Sequence, residues 1–227
     1  MPGVWAIPMG YVSAYVVAAE DGLTLVDSGL PNKASTIRDV LAAAGNAPLR
    51  NVAITHHHMD HVGSLAEMAP DLGVTVWAHA ADARVIRADV PPPKPPGRHV
   101  LDRAAIAAIR RFGPKAEPAR VDREVRDGQE LPIAGGMIAY HTPGHTAGHV
   151  SYLSPSKRVL FVGDAAARML GRLGPPVGVY TEDHEAVKRS IAKIAALEFD
   201  VACFGHGKVL KGGAAAAFRK LADRVAG

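Results

Sequence analysis

The segment Thr55-His56-His57-His58-Met59-Asp60-His61 constrains this chain more than any other stretch. It follows directly on Val52-Ala53-Ile54, which reads as a short buried strand, so the run sits at a strand's C-terminal end, where α/β proteins usually place their sites. In extended backbone, residues i and i+2 point the same way, so His56 and His58 can share one target while His57 faces the other side. A turn into helix then brings Asp60 and His61 round beside them. Imidazole nitrogen and carboxylate oxygen are donors that zinc takes at about 2.0–2.2 Å. Four of them packed together would be costly to bury without a cation. The fold must therefore deliver a strand to this point and wrap further polar groups around it.

Three later strand ends repeat the setting. Thr142-Pro143-Gly144-His145 lies in a strand-to-strand turn, Leu160-Phe161-Val162-Gly163 runs into Asp164, and Val201-Ala202-Cys203-Phe204-Gly205 runs into His206. A lone Asp or His at a strand end is ordinarily a cap or a turn residue. Three of them, alongside the first cluster, point to one assembled site.

The rest of the pattern tells what carries these ends. Residues 12–18 and 23–26 are β-rich and joined through Glu20-Asp21-Gly22, a hairpin signal. Ile37, Val40, Leu41 and Ala44 have helical spacing up to Gly45. Helix 64–69 and strand 74–78 follow. Pro91-Pro92-Pro93-Lys94-Pro95-Pro96-Gly97 reads as a stiff loop, and 102–112 as a helix. Short strands are expected at 121–125, 137–141, 149–153 and 159–163, then a Pro/Gly-rich loop from Gly171 to Gly178. Helix 184–197, strand 200–204 and an Ala-rich helix at 213–225 close the pattern. Two halves emerge, each a small sheet with helices outside it. Stacking the sheets face to face, with helices on both outer surfaces, buries both apolar faces. No clear internal repeat and no linker appears, so a single domain over 1–227 is expected.

Composition excludes several other classes. With 48% hydrophobic and 21% charged residues, the 227-residue chain is neither disordered nor fibrous. A net charge of +4 is too diffuse to imply nucleic-acid binding. The single cysteine, Cys203, rules out an internal disulfide and reads as a buried strand residue. No basic segment followed by an apolar run marks the N-terminus, and no stretch approaches a membrane span. A cytoplasmic enzyme acting on a small molecule, without nucleic acid or membrane as partner, is the expectation; the oligomeric state, a homodimer included, stays open.

Together these residues resemble the metallo-β-lactamase-fold hydrolases. The family's H-x-H-x-D-H motif matches residues 56–61 in full, and the later His after Pro-Gly, the Asp after an apolar strand and the final Gly-His follow in the family's order. The resemblance covers essentially the whole chain. It implies a four-layer αβ/βα sandwich, an α/β fold of two stacked mixed sheets with helices on both outer faces. It also implies two divalent cations, usually zinc, with iron and manganese occurring in the family. One would take His56, His58 and His145, the other Asp60, His61 and His206, with Asp164 between them. Asp60 would also shuttle a proton, and Asp27, in Val26-Asp27-Ser28-Gly29, would orient a ligand rather than be one. Water shared by two such cations loses a proton near neutral pH, and the resulting bridging hydroxide attacks a carbonyl. The expected reaction is cleavage of an ester, lactone or thioester.

The family's branches narrow this further. Only 21 residues follow His206, too few for the helical glutathione-binding domain of the glyoxalase-II type. The chain has no room for the insertion of the nuclease branch, and His58 departs from the diiron electron-transfer pattern. The alternatives are an iron dioxygenase of the persulfide type, with one metal, and a phosphodiesterase of the same fold. Specificity is expected from 91–97, the helix after it, and 168–180. Met9, Tyr11, Met169 and Leu170 would give an apolar wall, Arg168 and Arg172 would meet a substrate carboxylate, and Tyr180 is a candidate beside the metals. His79 and His149 are expected as structural hydrogen-bonders.

Overall fold

Three apolar cores account for the layering. The computed structural model describes residues 1–45, 47–93 and 113–227. Strands β1 (Val4–Met9), β2 (Val12–Ala19), β3 (Gly22–Val26), β4 (Leu49–Ala53), β5 (Thr75–His79) and β6 (Arg123–Val125) form one six-stranded sheet in that order. Its first three strands are antiparallel, and β3 through β6 run parallel. Then come β7 (Gln129–Leu131), β8 (Met137–His141), β9 (Val150–Ser154) and β10 (Val159–Gly163), a small hairpin of β11 (Ala167–Met169) and β12 (Arg172–Gly174), and β13 (Val201–Phe204) with β14 (Leu210–Lys211). The second six-stranded sheet has the order β14-β13-β10-β9-β8-β7, with β10 and β13 parallel.

Helices α1 (Ala34–Ala43) and α3 (Leu65–Leu72) cover the outer face of the first sheet, where Ile37, Leu41, Leu65 and Met68 pack with Ile7, Val16, Leu25 and Val52. The short helices α2 (Met59–Val62) and α4 (Ala80–Ile86) belong to the same side and reach the site. Between the sheets lie Tyr15, Val17, Val26, Tyr152, Phe161 and Cys203. Outside the second sheet, α5 (His184–Ala195) and α6 (Ala214–Ala226) bring Val187, Ile191, Phe218 and Leu221 onto Leu160, Val162 and Phe204. Along β10, Val159 and Phe161 point inward while Leu160 and Val162 point outward. Both faces of this strand are covered, which is why it reads as an unbroken apolar run. The two sheets and their helices are the αβ/βα layering expected. Among the described residues no helix is long and apolar enough to cross a membrane.

Two tyrosines tie the sheets together where the site begins. Tyr15 donates to the Phe204 carbonyl at 2.7 Å and Tyr152 to the Ile54 carbonyl at 2.9 Å, both buried. The strands that matter, β3, β4, β10 and β13, all end at this edge of the sandwich.

Several elements escape the sequence pattern. Strand β1 contains Pro8, which argues against a strand in sequence but is tolerated because β1 is a sheet edge. Helix α4 is only seven residues long and is capped by His79, whose ring accepts the Ala81 amide, rather than by Ser, Thr, Asp or Asn. The stretch read as a loop from Gly171 carries β12 of the small hairpin. The expected helix 102–112 and residues 94–97 of the Pro-rich loop lie outside the described residues.

Candidate metal centre

All seven side chains singled out by sequence converge at this edge. His56 and His58 follow β4, Asp60 and His61 ride on α2, His145 lies between β8 and β9, Asp164 follows β10 and His206 follows β13. His56 Nε2 is 3.1 Å from His58 Nδ1, which is 3.0 Å from His145 Nε2. His206 Nε2 lies 3.5 Å from Asp60 Oδ2. Asp164 joins the two groups: Oδ2 is 3.4 Å from His145 Nε2 and 3.0 Å from His206 Nε2, while Oδ1 is 3.6 Å from His61 Nε2. Donor atoms of His56, His58 and His145 all lie within 4.8 Å of one another, as do those of Asp60, His61 and His206.

The hydrogen-bond network orients the imidazole rings. His61 Nδ1 donates to Asp27 Oδ2 at 2.8 Å, and His206 Nδ1 donates to the Tyr11 carbonyl at 3.0 Å. His56 Nδ1 faces Thr55 Oγ1, whose own proton goes to Asp27. His145 Nδ1 faces Thr181 Oγ1, whose proton goes to the Val177 carbonyl. With Nδ1 engaged in this way, each of these rings turns Nε2 toward the centre. Burial, reinforced by the neighbouring imidazoles, holds His56 and His58 well below the usual range, and burial pushes His145 down to about 4.

Lone pairs and carboxylates facing one another need a cation. Burial opposes a charge on His61, yet Asp164, Asp27 and Asp60 together push it up to about 10, so these carboxylates favour positive charge at this point. Against its own burial, Asp164 is held well below the usual carboxylate range by His61, His206 and His145. His61 Nε2 and Asp164 Oδ1 are both buried without a hydrogen-bond partner, and they face each other. Donors set tetrahedrally about 2.0–2.2 Å from one ion stand roughly 3.3–3.6 Å apart, close to the separations seen here. The residues fit divalent cations.

Asp27 holds this half of the site together. It is buried at φ 59°, beyond the end of β3, and accepts the Thr55 amide and hydroxyl as well as the His61 ring. His149 accepts the Asp164 amide at 2.8 Å and faces Thr142 Oγ1 through its other nitrogen, so it sets the backbone that carries Asp164. Gly205 leaves room for the donors: a Cβ there would run into Asp164 Oδ1 and the His61 ring.

Sequence reasoning missed Asp82 altogether. This buried carboxylate on α4 accepts the His57 amide at 2.9 Å, Thr146 Oγ1 at 2.7 Å and the Gly148 amide at 2.8 Å. It thereby clamps the His56–His61 segment to the loop that carries His145. Its signal was faint, because an aspartate in the first turn of a short helix is unremarkable in sequence.

The periphery departs in part from expectation. Met9 is buried against Gly29 and is no wall residue. The Arg168 guanidinium is turned onto the carbonyls of Lys208 and Val209, so it is engaged by the protein itself. Arg172 is exposed, opposite Met169 in the hairpin. The Tyr180 ring packs edge-on to His58 at 6.4 Å. His57 turns away, its Nδ1 3.1 Å from Asp82, and His79 stacks on His141 at 4.1 Å.

Comparison with known proteins agrees with this geometry. Residues 7–206 match the family model of the Metallo-beta-lactamase superfamily. The chain is 28% identical over 232 residues to the probable metallo-hydrolase YflN of Bacillus subtilis, spanning 92% of this chain and 86% of that protein. It is 28% identical over 165 residues to the hydroxyacylglutathione hydrolase GloC of Haemophilus influenzae, covering 70% of this chain and 69% of that one. A metallo-beta-lactamase family protein from Thermus thermophilus shares the fold, with a TM-score of 0.71 at 23% identity over 99% of this chain and 78% of that one. With the family model spanning most of its length, the chain belongs to the metallo-β-lactamase superfamily.

Proposed function

We propose that the chain is a hydrolase that uses two divalent cations, zinc in the first instance, to cleave an ester, lactone or thioester bond of a small substrate. One observation carries the reading: five imidazoles and two carboxylates form overlapping groups whose donor atoms lie within 4.8 Å of one another, with Asp164 beside His61, His145 and His206. His56, His58 and His145 would hold one cation, Asp60, His61 and His206 the other, and Asp164 both. Such a pair would supply Lewis-acid charge that activates water and polarises a carbonyl.

The chain's own groups supply the rest. Asp60 is partly exposed and would take a proton from the attacking water and return it to the leaving group. Asp27, Thr55 and Thr181 keep the imidazole protons on the outward nitrogens, so that none competes for the centre. The relatives named as metallo-hydrolase and hydroxyacylglutathione hydrolase support the reaction class.

The test is metal quantification on protein purified without chelator, followed by a panel of lactones, aryl esters, thioesters and phosphodiesters. About two zinc per chain with ester-type turnover is expected, and Asp164→Ala should lose both metal and turnover. Full turnover by metal-free protein would overturn the reading, and one iron per chain with oxygen uptake would replace it.

A further inference from the structure

Two imidazoles outside the donor set lie face to face. The His79 and His141 rings are stacked with centroids 4.1 Å apart and planes 4° from parallel, and both are partly buried. They arrive from different sheets, His79 at the end of β5 and His141 at the end of β8. Each ring is also tied to the backbone of a segment that Asp82 holds. His79 Nδ1 accepts the Ala81 amide at 3.3 Å and so caps α4, the helix whose first turn carries Asp82. His141 Nε2 donates to the Ala147 carbonyl at 2.9 Å, inside the loop that carries His145. The stack and the Asp82 carboxylate thus join the same two elements, α4 and the 142–149 loop.

The Ala81 contact dictates a protonation state. A backbone amide only donates, so His79 Nδ1 must keep its lone pair, and an imidazolium, with a proton on both nitrogens, has none to offer. A proton on Nδ1 therefore removes the cap. The charged groups around the ring are divided over that proton. Asp82 on α4, Glu124 on β6 and Asp127 just after β6 attract it, while His141 on β8 opposes it. Glu124 is itself paired with Arg87 at 3.2 Å, and Asp127 with Lys193 of α5 at 2.9 Å. Burial, with His141, pulls the His79 imidazole below its ordinary value of 6.5 despite those carboxylates. The unfolded chain takes up this proton before the folded one does, so the cap is complete above pH 6.5 and is lost as acid charges the ring. Ser, Thr or Asn would cap α4 at all moderate pH values, whereas histidine does so only while neutral.

We propose, on the metal-centre reading above, that His79 is a positioning residue that acts through Asp82 and lets acid loosen the centre. As a neutral cap it holds the first turn of α4, and with that turn the Asp82 contacts to the His57 amide, Thr146 Oγ1 and the Gly148 amide. As an imidazolium it lets the turn go, and the two loops that bring His56, His58 and His145 together lose part of their common anchor.

The experiment compares wild type, His79→Asn and His79→Ala, each loaded with zinc, by competition with a chelator at pH 7.5 and at pH 5.0. Asparagine keeps a side-chain acceptor at both pH values, and alanine has none at either. At pH 7.5 His79→Asn should match wild type, and His79→Ala should bind zinc about fivefold more weakly, the usual worth of one cap. At pH 5.0 protonation of the ligands weakens binding in all three, so the ratios carry the result: wild type should fall to the level of His79→Ala, about fivefold below His79→Asn. Hydrogen exchange of the Ala81 amide reads the cap without metal. This amide lies in the first turn, where no helix carbonyl can take it, so its protection reports the His79 contact. In wild type the protection should fall between pH 7.5 and 5.0, and in His79→Asn it should persist. The wild-type profile needs no variant, so a misfolded one leaves the test standing. Zinc uptake by none of the three would sink the metal-centre reading itself. With zinc bound, a ratio of wild type to His79→Asn that is the same at both pH values overturns the inference, as does Ala81 protection that wild type keeps in acid.

Discussion

The Asp82 carboxylate accepts the backbone amide of His57 at 2.9 Å. A residue outside the donor set thereby holds the peptide between His56 and His58 in place. The same carboxylate takes Thr146 Oγ1 and the Gly148 amide, so one buried group sets the separation of two loops that must meet within ångströms. A Cβ at Gly148 would clash with Asp82, so the glycine is what lets the loop approach it.

Asp82→Ala leaves those donors buried without partners. At 1–3 kcal/mol for each unsatisfied buried group, a loss of about 3–5 kcal/mol is expected by urea denaturation. Metal affinity should fall about 10–100-fold, the usual effect of removing a group that positions a ligand. Competition with a coloured chelator measures it, and unchanged affinity in folded Asp82→Ala would show that the clamp serves the fold alone.

Gly205→Ala places a methyl against Asp164 Oδ1 and the His61 ring. Gly205 is not at positive φ, so the backbone accepts alanine and the damage falls on the donors. The variant should fold, with metal affinity reduced at least tenfold. Circular dichroism and metal analysis together check this.

Chelation should lower the melting temperature. A ligand bound only by the folded state stabilises it by about 4 kcal/mol at a thousand times its dissociation constant. For a chain of this size that corresponds to a fall of about 8–16 °C in a thermal melt. Equal melting points with and without chelator would contradict the assignment of the cluster to metal.

Cys203 is buried between the sheets, and burial pushes its thiol up to about 12 from an ordinary value near 9. The unfolded chain thus releases this proton before the folded one does. Stability from the thiol is complete below pH 9 and is lost as pH rises toward 12, by about 1.4 kcal/mol per unit. Urea midpoints at pH 8 and 10.5 should fall more for the wild type than for Cys203→Ala. A disulfide reagent should react with Cys203 only after denaturation.

How much of this was legible in sequence varies by residue. Strands β8 and β10 matched their expected bounds because both are flanked by turn residues and β10 is a continuous apolar segment. Strand β1 was hidden by Pro8, since sequence does not announce that a strand will lie at a sheet edge. Helix α4 was hidden by its length and by its histidine cap. The Arg168 expectation failed because a guanidinium near a site can equally serve a carbonyl of its own chain.

The identity and local spacing of the donors belong to the sequence. Period-two backbone followed by one helical turn puts His56, His58, Asp60 and His61 on one side of the segment, and apolar runs ending in Asp164 and His206 announce strand ends. Tertiary structure decided which nitrogen of each ring faces the centre, because the acceptors that hold the other proton arrive from distant positions: Asp27 for His61, Thr181 for His145, the Tyr11 carbonyl for His206. It also decided that Asp82 would clamp two loops and that Leu170 would stand exposed. Orientation about χ angles and exposure to solvent depend on what packs against a residue, and that is set only when separate strands are brought together.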